Sequence, residues 1–142
     1  MAAHLSNDSV SYRPIFNTST ASDRFQVYSG TRSTSPLVML IRNSSSTNYT
    51  ISPSPTLSIN TPYLNFGVVD SSKGMEAWIN GSSQGTNTFT GTYTNDVFEL
   101  GANSGISQYH SGQIAELIIF GSDESANRTA IETDINTHYS IY

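Results

Sequence analysis

The chain contains no cysteine, only one lysine, and no apolar stretch near the roughly 20 residues that a membrane-spanning helix requires. Without cysteine there is no disulfide framework, no thiolate metal site and no cysteine nucleophile. The six cations, Arg13, Arg24, Arg32, Arg42, Lys73 and Arg128, are scattered along a chain of net charge −5. Neutralising a run of phosphates takes a cluster of such groups, so nucleic acid is not an expected partner. The same sparsity removes a polybasic membrane patch, and membrane insertion is not expected either. Residues 1–10 lack the basic and apolar regions of a secretory leader, so no signal peptide of its own is expected. A protein of this kind acting outside a bacterial cell reaches its place by another route, such as a virion released by lysis.

What is present is polar and aromatic at once. The 142 residues include 24 Ser, 16 Thr and 12 Asn, yet 11% are aromatic and only 12% are charged. Disordered chains combine high charge with few aromatics, so this composition reads as a folded all-β surface. Ser, Thr and Asn compete for backbone hydrogen bonds and suit turns and pleated surfaces better than helix interiors. One domain is expected.

Short β-rich runs alternate with turn clusters from Ser11 onward. Tyr12 to Phe16 opens the series, with Pro14 marking an edge strand. Arg24 to Tyr28 follows, then Leu37 to Arg42, apolar on both faces, then Tyr49 to Ile51 and Leu57 to Ile59. Tyr63 to Val69 places Leu64, Phe66 and Val68 on one face. The run Asp70 to Gly74 turns the chain, and Met75 to Ile79 returns with Met75, Ala77 and Ile79 opposite Glu76 and Trp78. Asn80-Gly81 is a strong turn signal, because both residues tolerate positive φ. Val97 to Leu100 and Gln113 to Phe120 supply the last strands, the second of which, the most hydrophobic segment, is expected at the centre of a sheet. Only the end carries a helical period, with Ile131, Ile135 and Tyr139 at i, i+4, i+8, Ala126 and Ala130 beside them and Ser125 as a cap. A helix this short needs to dock on the sheets. The expected organisation is an N-terminal arm at 1–10, a β-sandwich at 11–121 and a C-terminal helix and tail at 122–142.

Four pieces in order carry a family resemblance: Gly74-Met-Glu-Ala-Trp-Ile-Asn-Gly81, Phe98-Glu-Leu-Gly-Ala102, Gly112-Gln-Ile-Ala-Glu-Leu-Ile-Ile-Phe120, and Arg128-Thr-Ala-Ile-Glu132 through His138-Tyr-Ser-Ile141. Together, residues 64 to 142 resemble the C-terminal half of laminin-G/concanavalin-A-like domains of bacterial surface and phage structural proteins. The resemblance implies an all-β antiparallel two-sheet sandwich, a concanavalin-A-like jelly roll, with one short C-terminal α-helix. The N-terminal half fits the family loosely, and the chain is short for it. A sheet edge is therefore expected to need covering, by the arm or by a neighbouring subunit.

Catalysis is not expected. Glucanases of this fold class hold two carboxylates about 5–5.5 Å apart across the sugar bond. The nearest match, Glu132-x-Asp134, has Thr137 in place of the third acid and lies in the helical segment, where i and i+2 point apart. Glu116 stands in an apolar strand, on the face of Ile114, Ile118 and Phe120, with no second acid assigned opposite it. His4, His110 and His138 lack metal-ligand spacing. No cofactor is expected. Calcium is the one candidate, through Asp70, Asn95 and Asp96, because related domains bind it by loop oxygens. A sugar platform would use Trp78 with Tyr109 and His110, an aromatic face ringed by hydrogen-bonding groups, against the plainer role of Trp78 as core. Thr at alternate positions from Thr86 to Thr94 reads as solvent-facing strand decoration. The expected partners are other subunits of an extracellular or virion-surface assembly, as a homo-oligomer, with surface glycans as the alternative.

Overall fold

A computed structural model of the chain describes residues 2–6, 13–19, 24–29, 38–52, 58, 60–70, 72–89, 98–103 and 108–142. Among them, twelve strands and one helix run in the order β1 (Ala2–Ser6), β2 (Arg13–Ser19), β3 (Arg24–Ser29), β4 (Val38–Arg42), β5 (Asn48–Ile51), β6 (Pro62–Asp70), β7 (Gly74–Ile79), β8 (Ser82–Asn87), β9 (Phe98–Leu100), β10 (Ala102–Asn103), β11 (Gln108–Tyr109), β12 (Gly112–Leu117) and α1 (Arg128–Tyr139). The first sheet has the order β12-β1-β6-β7-β8 and the second β5-β4-β3-β2-β9; β10 and β11 form a small pair. All strand pairs are antiparallel.

Alternation fixes what lies between the two sheets. From the second sheet come Phe16, Val27, Met39, Ile41 and Ile51, and from the first come Met75, Ala77 and Ile79, joined by Phe89 in one buried cluster. The sheets approach closely at Gly67, where a Cβ would lie 2.8 Å from the Met39 sulfur. Along one side, Asn87 Nδ2 of β8 donates to the Thr50 carbonyl of β5 at 2.9 Å and ties the sheets together. The result is an all-β, sandwich-like pair of layers.

The opposite face of the first sheet is also covered. Leu64 of β6 packs with Ile135 of α1, flanked by Ile118, Ile131 and Ile141. Thus Leu64 serves the helix while Met75 and Ala77 serve the other sheet. Tyr139, expected in the docking stripe, is exposed, as are Ala126 and Ala130. Ser125 begins a short 3-10 turn, Asn127 takes the cap position of α1, and no side chain makes a capping hydrogen bond at either start. Beyond the helix, Asn136 accepts from the backbone N–H groups of Ile141 and Tyr142 and donates to the Tyr142 backbone oxygen, folding the tail back. The outer face of the second sheet carries a polar ladder: Gln26 Nε2 donates to Asn17 Oδ1 at 2.7 Å, and Asn17 Nδ2 donates to Glu99 Oε2 at 2.9 Å. Asn17 is fully buried, so its two bonds offset the cost of removing an amide from water.

Residues 2–6 of the expected arm form β1, hydrogen-bonded to β6 on one side and β12 on the other. Two expectations change. β2 is not an edge strand, since β9 pairs with it at Phe16 to Thr18. Pro14 lies beyond that short pairing and at a register shift toward β3, where its missing N–H is tolerated. β12 is not central. It is the outermost described strand of its sheet. Its hydrophobicity comes instead from cover on two faces, since Ile114 and Leu117 pack on the inter-sheet core and Ile118 on the helix cluster. Of the expected strands, Leu57 to Ile59 lies outside the described residues.

Candidate functional site

Trp78 stands on β7, facing away from the inter-sheet core. Its ring meets Phe66 edge-on, with centroids 5.6 Å apart, and the Arg128 guanidinium carbon lies 4.9 Å from its centroid. Arg128 opens α1 and pairs with Glu132 one turn on. Glu132 is only 3% exposed, and its Oε1 has no hydrogen-bond partner. Burial pushes its carboxyl above the usual glutamate range, and the Arg128 charge pulls the other way. A ring already stacked under a guanidinium offers a sugar little free face.

Tyr109 and His110 lie elsewhere. Tyr109, 55% exposed, is in β11, and its backbone carbonyl accepts from Arg13 of β2 at 3.1 Å. The N–H of His110 donates to the Gly101 carbonyl at 2.7 Å. Both belong to the flank of the second sheet, whereas Trp78 belongs to the helix-covered face of the first. The three residues do not form one platform.

Of the calcium set, Asn95 and Asp96 lie outside the described residues. Asp70 Oδ1 accepts from the Ser72 hydroxyl and from the Ser72 and Lys73 backbone N–H groups, and these bonds hold its carboxyl below the usual range. That is the chemistry of a turn, closing the β6–β7 hairpin. Among the described residues no group of three or more His, Asp or Glu side chains converges on a point where a metal ion could sit. Asp134 is exposed on α1 while Glu132 is buried, so the two acids do point apart. Glu116 does not share a face with Ile114. The register shifts between Ala3 and His4, which pair with Glu116 and Ile114, and this bulge turns Glu116 away from the core.

Lys73 links that hairpin to the segment before the helix through its ion pair with Asp123. The bond holds the Asp123 carboxyl down at about 2 and raises the Lys73 ammonium. Because the folded pKa is depressed from 3.8 to about 2, this stabilisation is present above that range and is lost as pH falls through it. Melting temperature followed through that acid interval is expected to fall more steeply for the native chain than for Asp123→Asn. Parallel curves would remove the link.

The remaining surface that stands out is the free edge of β12. Gly112, Gln113 and Ala115 are exposed, and among the described residues no strand pairs with its outer side. Just beyond it, Ile119 is 66% and Phe120 40% exposed. The other three edges are less inviting to a partner strand. β5 has four residues and β9 three, while β8 reads Ser-Ser-Gln-Gly-Thr-Asn and is bulged against β7. The exposed pair was legible in sequence as part of an apolar run, but its position outside the sheet was not. No helix is long and apolar enough to cross a membrane, among the described residues. No protein-family model, curated protein or solved structure matches the chain.

Proposed function

We propose that the chain is a non-catalytic structural or attachment module of an extracellular assembly, built from copies of itself, with a phage virion surface as its setting and decoration or fibre element as its role. The carrying observation is the β12 edge, unpaired among the described residues and continued by exposed Ile119 and Phe120. An open, apolar edge is a template for strand pairing with a second copy, and the chain has no lysine or proline on it to oppose that pairing. The low cation count and Ser/Thr/Asn-rich surface suit a particle coat better than a nucleic-acid or membrane partner. Among the described residues Glu132 is committed to its ion pair with Arg128 while Asp134 is exposed on α1, so the near match to a glycosidase pair does not put two carboxylates together. Within this reading the two sheets are a jelly roll of the laminin-G/concanavalin-A kind, supported by the antiparallel layers and by the pairing of the opening strand with β12.

The test is the mass in solution by light scattering. The native chain is expected as an oligomer, and the double substitution Ile119→Lys, Phe120→Asp as a folded monomer with an unchanged β-sheet circular dichroism spectrum. A native chain that is monomeric at its highest soluble concentration sinks the proposal.

A further inference from the structure

Arg24 and Arg42 stand directly opposite each other on β3 and β4. Both alternate out of phase with Phe25, Val27, Met39 and Ile41, which fill the inter-sheet core, so both side chains lie on the outer face of the second sheet. Directly opposed residues of an antiparallel pair have Cβ atoms about 5 Å apart, and like charges at that spacing repel. In a chain with 11 acids and six bases, a carboxylate partner for each arginine is easy to supply. None is supplied among the described residues, outside which Asp8, Asp23 and Asp96 lie. The ion pairs among the described residues are Lys73–Asp123 and Arg128–Glu132, and neither Arg24 nor Arg42 takes part in one. The Nε atoms of both are buried without a hydrogen-bond partner. Asn48 of β5, register partner of Arg42, extends the same row with an exposed amide.

We infer that the row Arg24–Arg42–Asn48 is an oxyanion-binding site, taking a carboxylate, sulfate or phosphate group between the two guanidinium forks. Each guanidinium presents paired N–H donors in a plane that matches two oxygens of such a group, and an anion placed between them turns the repulsion into two attractions. Burial first, and the Arg42 charge second, lower the Arg24 pKa, and Tyr28 on the same face of β3 pulls the other way. The site is far in the fold from the β12 edge, on the other sheet, so it does not depend on the assembly proposal.

The experiment is thermal unfolding and calorimetric titration with sodium sulfate, inorganic phosphate and glucuronate, against sodium chloride at equal ionic strength and uncharged glucose. Three chains are compared: native, Arg24→Gln and Arg42→Gln. The native chain is expected to bind at least one of the three anions, and each substitution to weaken it by about tenfold or more, the range of a charge-assisted hydrogen bond. Binding of glucuronate above both inorganic ions would assign the site to an acidic sugar; the reverse order would assign it to a free inorganic anion. In chloride alone, each Gln variant is expected to melt at or above the native temperature, because a like-charge contact has been removed. Sulfate also stabilises proteins generally by exclusion from their surfaces, so the difference between chains is the quantity read. No saturable heat with any anion, or equal binding by native chain and variants, would overturn the inference.

Discussion

Gly74→Ala is expected to destabilise the fold by about 2–4 kcal/mol, lowering the melting temperature by on the order of 10 °C. Gly74 opens β7 with φ of +94°, a region that costs any L side chain. A Cβ there would also lie 2.4 Å from the Asn87 carbonyl oxygen and 2.9 Å from the Thr88 Cα. Both are backbone atoms just where β8 ends, so relief requires β8 to move away from β7. Gly85→Ala is the matching control. It too has positive φ, +108°, but a Cβ there meets nothing within 4 Å, so it carries backbone strain alone, about 1–2 kcal/mol. Chemical denaturation of both variants measures the difference. Equal losses would mean that β8 yields freely and that the contact with Asn87 constrains nothing.

The second large effect is expected at Arg128. Removing it as Arg128→Ala leaves the Glu132 carboxylate buried without a counter-charge, a situation that costs about 3–5 kcal/mol near neutral pH. Replacing both partners, Arg128→Met with Glu132→Leu, is expected to recover most of that loss, since the desolvation of two ions is removed along with their attraction. The pH dependence has a definite sign. The Glu132 pKa is raised by burial above its ordinary 4.5, so its contribution favours folding below that value and is lost as pH rises through the folded pKa. In the native chain Arg128 opposes this, and in Arg128→Ala nothing does. Urea unfolding of the four chains at neutral and mildly acidic pH is the measurement. The deficit of Arg128→Ala is expected to shrink on acidification, opposite in direction to the Lys73–Asp123 link. A deficit independent of pH would assign the loss to packing on Trp78 instead.

The parts of the fold visible in sequence are those where local signals and tertiary partners agree. The β6–β7 hairpin was legible because Asp70 begins its turn and because Leu64, Phe66, Met75, Ala77 and Ile79 alternate without interruption; the Asn80-Gly81 turn was legible because both residues do take positive φ. The helix was legible from Ile131 and Ile135. Strands without apolar side chains were not. β8 is a strand because β7 offers it hydrogen bonds, and Ser82 to Asn87 carries no periodic signal of that. β1, with Ala2, Ala3 and His4, lacks the branched and aromatic residues that mark strands. The bulge at Ala115 also defeated simple alternation: the period puts Glu116 on the face of Ile114, and the shifted register takes it off that face. For the candidate sites, the anion row was hidden for a related reason. Arg24 and Arg42 are far apart in sequence, and only the β3–β4 register sets them side by side.

The placement of β1 has a kinetic consequence. Its register joins Ala2 to Leu117, so the outer seam of the first sheet closes on residues from near opposite ends of the sequence. During synthesis β1 emerges well before either neighbour, β6 or β12, and its second side is joined only once β12 has left the ribosome. Pairing across such a separation bears the full loop-closure entropy before any contact offsets it, which places the chain among slow folders, on the scale of milliseconds to seconds. Until that seam forms, β6 and β12 both present open edges, and crowding of nascent chains in that interval favours pairing with the wrong copy.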